Sequence, residues 1–80
     1  MKVLIVDDER HVREAIRYFI PWEEHGVTEI FEATNGQEAI TIIEEQHPAV
    51  IFTDMKMPLL DGAELLEWLH HHSPNTKTIV

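Results

Sequence analysis

Four short apolar runs, three amphipathic segments between them and turn residues at the junctions point to an α/β domain on a parallel sheet. The runs lie at residues 2–6, 27–33, 49–53 and 77–80, with helical periodicity in the gaps. Strands alternating with helices of this length form βαβ units, which join parallel strands by right-handed crossovers. The expected order is β-α-β-α-β-α-β, ending within the fourth strand.

Residues 2–6, KVLIV, are aliphatic after the lysine and read as a strand buried on both faces. Asp7 and Asp8 end it, and either can cap the helix that follows. That helix carries Val12, Ala15, Ile16, Phe19 and Ile20 on one stripe. Arg10, Arg13, Glu14 and Arg17 fall on the opposite face, Arg10 and Glu14 in i,i+4 register, and Pro21 stops the helix. In the second run Glu29 and Glu32 interrupt the apolar residues, which suits an edge strand. Asn35 with Glu38 is a capping signal, after which Ala39, Ile40 and Ile43 face inward until His47-Pro48 closes the helix. Residues 49–53 form the most apolar strand. A third helix begins at Asp61 or Gly62 with Leu65, Leu66, Trp68 and Leu69 as its apolar face, and Ser73-Pro74-Asn75 turns into the fourth strand.

Eighty residues allow one small domain with a thin stability margin. A formal net charge of −9 argues against binding of nucleic acid or an anionic membrane surface by this segment. The absence of cysteine excludes disulfides and thiolate metal sites. The apolar start is too short for a signal peptide and is followed at once by Asp7-Asp8-Glu9. No stretch is long enough to span a bilayer, so the cytoplasm is the expected compartment.

The chemistry concentrates in "VIFTDMKMPLLDG", residues 50–62, where a buried strand runs straight into Asp54 and then a Met-Lys-Met-Pro turn. In a parallel sheet all strand C-termini share one edge, so Asp7, Asp8 and Asp54 converge if the first and third strands are neighbours. Ligands bind at that edge in open α/β sheets. Clustered carboxylates oppose one another's ionisation unless a cation intervenes. With oxygen donors alone the cation should be hard, and Mg²⁺ fits. The plainer account is that these acids merely cap helices and solvate strand ends; it explains any one of them better than all three together.

The chain resembles the receiver domain of two-component response regulators over all 80 residues. The acidic pair after an apolar first strand is similar to that family's metal-binding acids, and Asp54-x-x-Met57-Pro58-x-x-Asp61-Gly62 to its phosphoacceptor loop. "IPWEEHG" and "TDMKMP" are also similar to receivers that precede AraC-type DNA-binding output domains. The resemblance implies a flavodoxin-like doubly wound sheet, cut short after its fourth strand. It implies that Asp54 takes a phosphoryl group from a phosphohistidine on a partner histidine kinase. Asp8, Asp7 through water, Asp54 and the backbone carbonyl of Lys56 would hold Mg²⁺. Met57, Pro58, Asp61 and Gly62 would shape the loop, and the Lys56 side chain would modulate the lifetime of the acyl phosphate. The protein would then act as a switch for an output domain rather than as an enzyme.

The family's pattern continues to a Ser or Thr after strand four and a Lys after strand five, and neither has a counterpart here; Thr76, Lys77 and Thr78 lie too early. The last helix of that architecture covers the same sheet face as the first helix. The chain is therefore expected to be the N-terminal part of a receiver, with exposed apolar surface, an open fourth strand and a tendency to self-associate or swap.

Other features carry less. His70-His71-His72 point in different directions on a helix and suit its C-terminal dipole better than a metal. His11 reads as a first-turn surface residue, and Trp22 and Trp68 as core covers. Two alternatives to the switch remain. A receiver-like interaction module without phosphotransfer keeps all the same acids. A haloacid-dehalogenase-type phosphohydrolase needs a second acid two residues after its nucleophile, where this chain has Lys56.

Overall fold

The computed structural model describes residues 1–53, 62–73 and 75–79. It contains strands β1 (Lys2–Val6), β2 (Glu29–Ala33), β3 (Val50–Thr53) and β4 (Lys77–Ile79), and helices α1 (Arg10–Phe19), α2 (Gly36–Gln46) and α3 (Gly62–His72). The strands form one sheet in the order β2-β1-β3-β4, with every pair parallel. β1 and β3 are neighbours in a register that sets Val6 opposite Thr53. β2 lies at the edge, as its two glutamates foretell.

Alternation along β1 explains how helices come to lie on both faces. Leu4 and Val6 enter a core with Ala39 and Ile43 of α2 and Leu65 and Leu69 of α3. Val3 and Ile5 point the other way, into a second core with Val27, against which Ile16, Trp22 and Phe52 pack. All four residues are at most 1% exposed, which is why this strand contains no polar residue after Lys2.

The α1 face differs from expectation. No residue of α1 is fully buried; Val12 and Ile16 are half-buried, Ala15 is exposed, and Phe19 is 78% exposed. The apolar surface left open on this face is that expected where no further helix covers it. Arg13, assigned to the solvent face by periodicity, is turned down against Glu32 of β2, with its side chain only 11% exposed. Phe19 lies outward beside Tyr18, ring centroids 5.1 Å apart.

The first helix stops just before Pro21, as expected. α1 ends at Phe19, and a 3₁₀ turn over Trp22–His25 follows Pro21, closed by Gly26 at φ 77°. That left-handed conformation is one a side chain would strain. Trp22 thereby meets Phe52 edge-on at 5.5 Å, while its indole N–H donates to the Arg17 carbonyl at 3.1 Å. Neither Asp7 nor Asp8 caps α1 in the expected way; Glu9 holds the cap position without a side-chain bond. Asn35 does cap α2, accepting from the Glu38 N–H at 2.9 Å. Glu38 reaches back to the N–H of Thr34 at 2.7 Å and also accepts from the Thr34 hydroxyl. At the far end His47 adopts φ 50° to end α2.

Candidate functional site

The C-terminal edge of the sheet is built by β1 and β3. Because Val6 and Thr53 are paired, the residues following them in sequence are Asp7 and Asp54. Asp7 is 8% exposed and Thr53 5%, so the edge begins in a desolvated setting. Asp8, one residue on, is exposed. A cleft of about 340 Å³ opens beside them, bounded by Asp7, Glu9 and Val12 on one side and Phe52, Thr53 and Ile79 on the other.

Asp7 is held at three points. Its N–H donates to the Ala33 carbonyl at 3.1 Å, continuing the ladder to β2. Its Oδ1 accepts from the Glu9 N–H at 2.9 Å. Its carbonyl accepts from Arg13 Nη1 at 2.7 Å. A buried carboxyl group so fixed loses little freedom on meeting a ligand, and Asp8, exposed, is the next residue in the chain. These are all-oxygen donors suited to a hard cation. Among the described residues no group of three His, Cys, Asp or Glu side chains is close enough to hold a metal. Of the predicted set, Asp54, Lys56, Met57, Pro58 and Asp61 lie outside the described residues, and Gly62 begins α3.

The sequence reading missed Arg13 and Glu32. Glu32 accepts from Arg13 Nε at 2.9 Å and from Arg17 Nη1 at 2.7 Å. The Arg17 hydrogen bond, opposed by partial burial and assisted by Arg13, holds the Glu32 carboxyl below its usual 4.5. The hydrogen bonds from Thr34 lower Glu38 likewise. A signal was present: two arginines four residues apart share one helix face, and an acid interrupts an apolar strand.

The discounted residues are elsewhere. His11 faces Glu9 at 3.2 Å on the surface. His72 Nδ1 lies 2.9 Å from the Trp68 carbonyl, with its ring stacked on Trp68 at 4.4 Å. Trp68 packs against the α2–α3 core and Trp22 against the other, as expected. Among the described residues no helix is long and apolar enough to cross a membrane.

The model of the response regulator receiver domain matches residues 3–80, and the chain belongs to that family. It is 42% identical over 66 residues to an uncharacterized response regulatory protein of Staphylococcus epidermidis, an alignment covering 82% of this chain and 26% of that protein. It is 39% identical over 70 residues to the transcriptional regulatory protein HptR of Staphylococcus aureus, covering 88% of this chain and 28% of HptR. The chain thus spans about a quarter of the length of these relatives.

Among solved structures, a two component transcriptional regulator AraC from Clostridium phytofermentans superposes with a TM-score of 0.92 at 33% identity, over 98% of this chain and 63% of that one. The receiver domain of the response regulator AraT from Geobacillus stearothermophilus gives 0.90 at 38%, over 96% and 60%. The response regulator TrrA from Thermotoga maritima, in complex with Mg²⁺-BeF, gives 0.85 at 29%, over 99% and 66%. The flavodoxin-like receiver fold is therefore shown, and the resemblance to AraC-type regulators read from the sequence is matched by the first of these neighbours.

Proposed function

We propose that this receiver accepts a phosphoryl group on Asp54 from the phosphohistidine of a partner sensor kinase, in a Mg²⁺-dependent reaction, and so switches a transcription-regulating output domain in the cytoplasm. What carries the reading is the parallel pairing of β1 with β3, Val6 opposite Thr53, with Asp7-Asp8 directly after one strand and Asp54 directly after the other. In the transfer an Asp54 carboxylate oxygen attacks phosphorus. An acyl phosphate forms as the phosphorus–nitrogen bond breaks, and the donor imidazole leaves and takes up a proton. Phosphoryl transfer asks mainly for in-line positioning and charge neutralisation. Asp7, Asp8, Asp54 and the Lys56 carbonyl would hold Mg²⁺, which when bound neutralises phosphoryl oxygens.

Two similarities add support: the family membership, and a neighbour described in complex with Mg²⁺-BeF. The test is incubation with acetyl phosphate and Mg²⁺, read by intact mass, for this chain and for a version extended to the length of the matched receivers. A gain of one phosphoryl group, lost in Asp54→Asn and on chelation, is the expected result. Absence of any Mg²⁺-dependent change in either protein overturns the reading in favour of an interaction module. Turnover of phosphate monoesters would point instead to a hydrolase.

A further inference from the structure

We propose that Arg13 is a positioning residue for divalent-cation binding at the acid pair, with Glu32 of the edge strand as its anchor; this rests on the reading of Asp7 and Asp8 given above. Arg13 joins three elements through one guanidinium. Its Nε donates to Glu32 Oε1 at 2.9 Å and its Nη1 to the carbonyl of Asp7 at 2.7 Å. That carbonyl belongs to the peptide linking Asp7 to Asp8, so the contact fixes the plane from which the exposed Asp8 carboxylate departs.

The guanidinium is itself immobilised. Its side chain is 11% exposed, and Glu32 is held from the other side by Arg17 Nη1 at 2.7 Å. A planar fork with fixed donor directions can serve two acceptors at once, whereas a lysine ammonium at the end of a flexible stem holds neither in a set plane. Two effects on cation affinity oppose each other. The positive charge of Arg13 repels a cation, but Glu32 lies against it and offsets that charge. Orientation of the acid pair is what remains, and removal of a partner that orients metal ligands typically lowers affinity by about 10- to 100-fold.

The experiment is a Mg²⁺ titration of this chain followed by the amide NMR signals of Asp8 and Glu9, with hydrogen exchange at the Glu9 N–H measured without metal. That N–H donates to Asp7 Oδ1 at 2.9 Å, so its protection reports the loop's geometry independently of the cation. Arg13→Gln should weaken Mg²⁺ binding by on the order of 10-fold and speed Glu9 exchange. Arg13→Lys should be intermediate in both, and Glu32→Gln should shift both in the same direction by less. Arg10→Gln, which removes only the exposed pair with Glu14, should change neither. Unchanged or tighter Mg²⁺ binding in Arg13→Gln and in Arg13→Lys overturns the inference and leaves the receiver reading standing. If Arg13→Gln does not fold, Arg13→Lys and Glu32→Gln decide the matter. Mg²⁺ binding absent from both the wild-type chain and the version extended to the matched receivers' length overturns both.

Discussion

Glu32 occupies a strand position that an apolar residue would fill more cheaply, and it is tolerated there because two guanidinium groups meet it. Arg17 and Arg13 hold its carboxyl below 4.5 despite partial burial. A carboxyl lowered by folding contributes stability that is complete above the ordinary value and is lost as pH falls through the folded one. Glu32→Gln should therefore cost on the order of 1 kcal/mol at neutral pH. Its loss of stability on acidification below 4.5 should also be shallower than that of the wild type. Urea midpoints measured across that range check both; parallel curves for the two proteins would contradict the assignment. At this scale the sequence was partly legible. Asp7 and Asp8 could be singled out because acids ending a buried strand are unusual. Arg13 was harder to single out: its spacing to Arg17 and the acid interrupting β2 were visible, but periodicity alone puts it in solvent, and its pairing with Glu32 joins residues nineteen positions apart.

The helices and strands themselves were readable where the signal is local. The Asn35 cap needs only its own turn, and it forms with Glu38 as the spacing indicates. Asn35→Ala should lower stability by about 1 kcal/mol without altering the sheet; chemical denaturation with unchanged NMR shifts in β1 is the check. What needed the tertiary structure was the face α1 presents, since an amphipathic stripe defines a direction only to within a neighbouring residue. The pairing of β1 with β3 was similarly conditional. Strand order depends on contacts between residues nearly fifty positions apart, such as Val3 with Val50, and no local pattern encodes it.

For the molecule as a whole, the two sheet faces are unequal. One carries α2 and α3 over a dense core; the other carries α1 and the Trp22 turn over a smaller one. On the sparser face a hollow of about 320 Å³ runs past Val3, Trp22, Val50, Phe52 and Ile79. Ile79 is 49% exposed on β4, which pairs only with β3 among the described residues. An apolar face beside an open strand favours association. Sedimentation velocity of this chain should show mass increasing with concentration; a monomer at all concentrations with a cooperative melt would contradict this.

The central place of β1 has a bearing on biosynthesis. This strand is made before the other three, so both of its partners come later, and the second of them only when residues 50–53 have been translated. Until then Val3, Leu4, Ile5 and Val6, all hidden in the finished domain, have β2 as their one available partner strand and are open along the edge that β3 will occupy. Completion of the β1 pairing waits on the synthesis of β3, and an apolar strand edge left open in that interval favours misassociation.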